Sequence, residues 1–244
     1  MMRMIRSEWL KIRRSILWLL AALSPVLAAL GGMLDGAPEG GGGSEEWIAA
    51  LRLMAVLHAL LFLPLLSGVF AAMLCRYEHI GGGWKQLLAL PVSRTQVYAV
   101  KLAFVLLLLA VTQIIFLAAY LAVGVAMGFE GAIPWEIIAG SLIGGWVACL
   151  PLAALQLAVS VAWASFAAPL AVNVIFTIPN LLIVNSADYG PYYPWAQPML
   201  AMVPHDAYGY GAFNVSAATL FAVILGSFVL FLGGGWLYWT KKSI

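Results

Sequence analysis

Few residues of this 244-residue chain carry groups that do chemistry. Glu45, Glu46, Arg52, His58 and His205 are the acids, base and imidazoles that could hold a metal ion and activate water. Asn173, Thr177 and Asn180, four and three apart, would place three hydrogen-bonding groups on one helical face. Residues 76–103, RYEHIGGGWKQLLALPVSRTQVYAVKLA, gather Arg76, Glu78, Lys85, Arg94 and Lys101 around a glycine triplet. The chain has no G-x-x-x-x-G-K-[ST] loop to cradle ATP, no H-E-x-x-H and no G-x-S-x-G. Cys75 and Cys149 lie in separate apolar runs and read as small buried residues, neither disulfide nor metal ligands.

These groups must be positioned by elements made for lipid. The chain is 64% hydrophobic and 9% charged, and no soluble fold of this size hides so much apolar surface. The reading is an all-α integral membrane protein with six spans, at about 15–34, 47–75, 97–128, 137–162, 167–185 and 215–239. Residues 137–187 contain no charge over 51 positions. As one helix they would run about 76 Å, more than twice the ~30 Å hydrocarbon core. They must fold back on themselves, and Trp163–Pro169 is the expected turn.

Charge placement orients the spans. Arg3, Arg6, Lys11, Arg13, Arg14, Arg76, Lys85, Arg94, Lys101, Lys241 and Lys242 share one side, leaving Arg52 alone elsewhere. Asp35, Glu39, Glu45, Glu46, Glu130, Glu136, Asp188 and Asp206 share the other. Both termini are expected in the cytoplasm. The first span is too long for the apolar core of a cleavable signal peptide.

Residues 1–14 space Met4, Ile5, Trp9 and Ile12 as an amphipathic helix would, which suits an anionic membrane surface. Asp35–Glu46, with Gly40–Gly43, reads as a flexible linker. Between spans five and six, YGPYYPWAQPMLAMVPHDAYGYGAF suits an aromatic interfacial belt of loop or short helices, or a cover over an outer opening. His205-Asp206 has no third group beside it to complete a catalytic set. Arg52 is expected to pair with Glu45 or Glu136, since an unpaired guanidinium at mid-membrane costs about 2.5–3.5 kcal/mol. The Asn173, Thr177, Asn180 stripe either bonds helices together or lines a path or a subunit interface. Gln113 and Gln156 read as structural.

Within residues 76–103, Gly81-Gly82-Gly83 permits a sharp turn. Trp84, Leu87 and Leu88 then share one face of a short helix, with Lys85 and Gln86 on another, and Pro91 ends it. Ser93 and Gln96 form a capping box for span three, with Val92 and Val97 placed as a hydrophobic staple.

The stretch GGGWKQLLALPVSRTQVYAVKL after Glu78 resembles the cytoplasmic coupling segment of ABC-2-type transporter permeases. SEWLKIRRS, the six-span layout and the aromatic segment fit the same family over essentially the whole chain. SEWLKIRRS…LSPVLA most resembles permeases of bacteriocin (lantibiotic) immunity and bacitracin-resistance exporters. The resemblance implies a non-catalytic subunit of an ATP-driven exporter in a bacterial cytoplasmic membrane. It would partner two cytosolic ATPases and a second permease, identical or related, with ATP and Mg on the ATPases and no nucleic acid involved. Glu78, Trp84, Lys85, Gln86, Leu87 and Leu88 would dock into a groove on the ATPase. The expelled compound would be an amphipathic peptide antibiotic or similar hydrophobic molecule. Two rivals are a subunit that senses peptide without moving it and an intramembrane enzyme. CAAX-type proteases separate the Glu pair from Arg by three residues, and here five intervene.

Overall fold

Apolar runs in lipid satisfy their backbone only within themselves, so they coil. The computed structural model describes residues 2–35, 44–203 and 211–242, and no strand occurs among them. The Gly40–Gly43 linker and His205-Asp206 lie outside the described residues. The helices are α1 (Met2–Ile12), α2 (Leu17–Asp35), α3 (Ser44–Leu57), α4 (Leu63–His79), α5 (Gly83–Leu88), α6 (Arg94–Met127), α7 (Trp135–Ala148), α8 (Leu150–Ala162), α9 (Ala167–Thr177), α10 (Asn180–Ile183), α11 (Gln197–Met202) and α12 (Ala217–Lys241). A π-helical turn, His58–Phe62, joins α3 to α4 without a break, and a 3-10 turn, Ile80–Gly82, leads into α5.

Among the described residues, five stretches are long and apolar enough to cross a membrane: Leu17–Leu34, Ser44–Leu88, Arg94–Met127, Trp135–Ala162 and Ala217–Lys241. The segment expected as span five, Ala167–Ile183, is shorter. At 34 residues α6 extends about 51 Å, so it projects beyond a ~30 Å hydrocarbon layer. Trp163–Phe166 leaves the helical path between α8 and α9, within the stretch expected to turn. The capping box forms as the sequence reads: Ser93 Oγ accepts from the Gln96 amide, and Gln96 Oε1 accepts from the Ser93 amide. Cys75 and Cys149 are free thiols in the interior.

The bundle is built by α12 and α4 packing on α8, α2 on α6, α9 on α4, and α11 on α7. A polar chain crosses its centre. Ser24 Oγ lies 2.6 Å from His58 Nδ1, and His58 Nε2 lies 3.2 Å from Gln113 Oε1. The His58 ring stacks on Phe116 with centroids 4.3 Å apart.

One expectation is corrected and two are made more specific. Arg52 pairs with neither Glu45 nor Glu136, and its Nε has no hydrogen-bond partner; no acid lies within 4 Å of it among the described residues. The apolar residues of α1 do not form one membrane face. Met4 and Ile12 pack inward with Glu8, whereas Ile5 and Trp9 are exposed, because the helix lies between the bundle and its surroundings. The aromatic segment forms short helices, as one of the expectations had it, and packs inward: Trp195, Met199, Leu200 and Met202 are buried, and α11 folds back against α7.

Candidate coupling site

The elbow between spans two and three is shaped by two glycines. Gly81 and Gly82 adopt φ of 63° and 73°, a region where a Cβ meets the following carbonyl. The chain thereby reverses after His79 and lays α5 against the ends of the spans. Trp84 turns inward and is buried. Its indole N–H donates to His79 Nδ1 at 3.1 Å, and His79 Nε2 donates to the Ser160 carbonyl of α8 at 2.8 Å. That pattern requires the neutral imidazole with its proton on Nε2. The Trp84 ring also packs on Trp239 of α12 (centroids 4.7 Å apart), and the Lys101 ammonium of α6 sits 5.4 Å from its centroid. One indole thus touches groups from α4, α6 and α12, and reaches α8 through His79.

Beneath Trp84 lies a closed ring of four charges. Lys101 Nζ binds Glu78 Oε2 at 2.8 Å and Glu8 Oε2 at 3.4 Å. Lys11 Nζ binds Glu8 Oε1 at 2.7 Å and also Glu78 Oε1. Each carboxylate uses both oxygens and each ammonium meets both acids, so the ring is neutral. Lys101 adds a bond to the Leu74 carbonyl at 2.9 Å, and its side chain is 1% exposed. Burial of this kind is sustained only when every charge is paired and hydrogen-bonded. Burial pulls the Lys11 ammonium down, but its bonds to Glu78 and Glu8 prevail and hold it above the ordinary lysine range. The ring ties α1 to the end of α4 and the start of α6.

A second clamp holds the C-terminal end of α12. The Arg94 guanidinium donates to the carbonyls of Trp239, Thr240 and Lys242, groups that a helix end leaves open. In return Trp239 Nε1 donates to the Arg94 carbonyl at 2.7 Å, and Trp236 Nε1 to Thr95 Oγ1 at 2.9 Å. Lys242 reaches the Val161 and Ala162 carbonyls that end α8.

The residues expected to dock therefore divide. Glu78 and Trp84 are buried, 3% and 6% exposed, and cannot touch a partner in this conformation. The reason is that the elbow folds its aromatic and acidic face onto the spans. Leu87 and Leu88 are half-buried against the core, while Lys85 and Gln86 are exposed. Tyr77, Ile80 and Leu90 join them on the outer surface. Glu8, Lys11, His79, Arg94, Lys101 and Trp239 escaped the sequence reading as partners of this site. A signal existed for two of them. Lys101 falls on the buried stripe Val97, Lys101, Val105 and Leu108 of α6, and Glu8 lies between the buried Met4 and Ile12.

The Asn173, Thr177, Asn180 stripe does come together, and it bonds helices. Asn173 Nδ2 donates to the Pro64 and Leu65 carbonyls at 3.0 Å each, and its Oδ1 accepts from Gln156 Nε2 and Trp195 Nε1. Pro64 has no N–H, so the Leu60 carbonyl one turn earlier loses its helical donor. Asn180 Nδ2 supplies one at 2.8 Å. Thr177 returns its hydroxyl to Asn173 O. All three side chains are at most 1% exposed; Asn173 and Asn180 bond span two, and Thr177 bonds within its own helix α9.

Among the described residues, the acid–histidine set does not assemble. His58 spends both ring nitrogens on Ser24 and Gln113, and no cluster of metal-ligating side chains occurs among the described residues.

Long apolar helices joined by a braced elbow define a polytopic helical membrane protein with one reinforced connection. Residues 4–180 match the model of the family described as ABC-2 family transporter protein. The chain belongs to that family, as a membrane permease subunit of an ABC transporter, whose chemistry of ATP hydrolysis the family implies for ATPase partners. A search of curated proteins finds no match. The matched region contains the elbow and the charge ring, and it ends before α11 and α12.

Proposed function

We propose that this chain is the permease of an ATP-driven exporter and that its elbow is where the ATPase pushes. The observation that carries this reading is the division of the elbow into two faces. Its outer face, Tyr77, Ile80, Lys85, Gln86 and Leu90, offers apolar and polar groups to a partner. Its inner face, Glu78 and Trp84, contacts α1, α6 and α12 directly and α8 through His79. A force on the outer face would reach four helices at once, where a loose loop would absorb it.

The sorting of lysine and arginine toward the elbow end supports a cytoplasmic elbow, in a bacterial cytoplasmic membrane. A second permease subunit completes the path, since this chain spends its interior polar groups on its own helices. The cargo is an amphipathic peptide antibiotic or a compound of similar character. This rests on the family resemblance and on the acidic composition of the opposite end.

Co-purification in mild detergent with the ATPase of its own operon or genome neighbourhood tests the docking face. Lys85→Glu with Leu90→Glu alters only exposed positions, so the variant is expected to melt like the wild type and to lose the ATPase. Retention of the ATPase by a folded variant would place docking elsewhere.

A further inference from the structure

At the end of the bundle opposite the elbow, a cleft of about 260 Å³ opens between α7, α11 and α12. Its walls are Ile137, Gly140, Met202, Val203 and Phe221, and Glu136 stands among them. Ser141 Oγ is already bonded to the Met202 carbonyl, so the Glu136 carboxylate is the charged group at hand. Glu136 is exposed and has no ion-pair or hydrogen-bond partner among the described residues. An acid in the first turn of a helix is explained by the helix dipole alone. The cleft beside it is not: a Cβ on Gly140 would meet no atom within 4 Å, which leaves the cleft open on the side of α7.

An apolar slot with one free carboxylate fits a particular shape of ligand, an alkyl stem ending in an ammonium. Lysine has this form, burying its methylenes along apolar surface while its charge seeks an anion. The wider field agrees. Glu45, Glu46, Glu130, Glu136 and Asp188 belong to the acidic side of the sequence, where Arg52 is the sole base, and such a field concentrates cations.

We propose that this cleft receives a lysine side chain of a cationic amphipathic peptide, with Glu136 as its counter-ion. The inference rests on the export reading and specifies the cargo by chemistry. Ile137, Met202 and Phe221 hold the stem, and Glu136 selects the charge.

The test uses the full chain in nanodiscs of neutral phosphatidylcholine. The probe is a synthetic amphipathic peptide of Lys, Leu and Ala with a photo-reactive leucine beside one lysine. Cross-links located by mass spectrometry are expected on residues 137–141 and 199–203. Glu136→Gln lowers them about two- to fivefold, the range that loss of an exposed charge pair represents. Gly140→Phe, which fills the slot, abolishes them while the melting temperature stays unchanged. A peptide with Glu in place of Lys gives none. Cross-links spread evenly over the lipid-facing helices, or insensitive to both variants, would overturn the proposal. ATP-driven transport of the same peptide by the reconstituted complex separates the two readings. Transport unaffected by Glu136→Gln overturns the site and leaves export standing. Cleft-specific cross-links without any transport uphold the site and remove export.

Discussion

At the scale of residues, the ring of Glu8, Lys11, Glu78 and Lys101 is the feature on which the elbow stands or falls. A buried ion pair adds little over a well-packed apolar substitute, but removing one partner strands a charge at about 3–5 kcal/mol. Lys101→Met leaves two acids sharing Lys11 alone and is expected to destabilise by that amount. Adding Glu8→Gln restores neutrality and recovers part of the loss. Thermal unfolding in detergent checks both; a single variant that melts like the wild type would mean that the ring is solvated and unimportant. Lys11 itself introduces no weakness near neutral pH. Its folded pKa is raised, so its contribution is complete below the ordinary lysine value of 10.5 and fades only as pH climbs through the higher folded one. The ring was poorly legible in the sequence because its members come from three helices, with Lys11 and Glu78 67 residues apart and Glu8 and Lys101 93 apart. The capping box of Ser93 and Gln96 was legible because both groups lie within one turn.

At the scale of elements, two sets of glycines serve opposite ends of the path from elbow to core, and they should fail differently. Gly81 and Gly82 sit in open space at positive φ, so alanine there costs only backbone strain, roughly 1 kcal/mol each. Gly68 has an ordinary backbone, but a Cβ on it would lie 2.2 Å from Asn173 Nδ2. That contact would push the amide off the Pro64 and Leu65 carbonyls and unseat Gln156 and Trp195 with it. Gly68→Ala is therefore expected to lower the melting temperature more than Gly81→Ala and Gly82→Ala together. The reverse order would show that α9 finds other bonds to span two. Pro64 was the visible signal that span two carried an unsatisfied carbonyl, and the Asn173 to Asn180 spacing was the visible answer. Sequence alone could not join them, because the pairing spans 120 residues between Leu60 and Asn180. The long apolar helices were legible from composition and length, since lipid leaves few alternatives to them, but the segment expected as span five forms only the shorter Ala167–Ile183. The inward fold of α11 was not, because its prolines and aromatics suit a surface belt equally well.

At the scale of the whole molecule, the basic end of the bundle is one connected body. Trp84 is its keystone, reaching α8 through His79, α12 through Trp239 and α6 through Lys101. Under the proposed function, docking and transmission would depend on different faces of the same short helix, and the two can be separated by experiment. Trp84→Leu keeps an apolar group inside and leaves Lys85, Gln86 and Leu90 in place, so the ATPase should still co-purify. It removes the indole N–H, the ring contact with Trp239 and the cation–π contact with Lys101. Truncating a buried aromatic to a smaller apolar group costs less than the roughly 3–5 kcal/mol of Trp→Ala, and the chain is expected to remain folded. In reconstituted vesicles the variant should hydrolyse ATP while moving cargo at about one tenth of the wild-type rate, the factor that a loss of ~1.4 kcal/mol represents. Full transport by Trp84→Leu would mean that force passes through the charge ring and the Arg94 clamp alone. Loss of the ATPase from this variant would mean that the indole orients the docking face, and transmission and docking would then be one function rather than two.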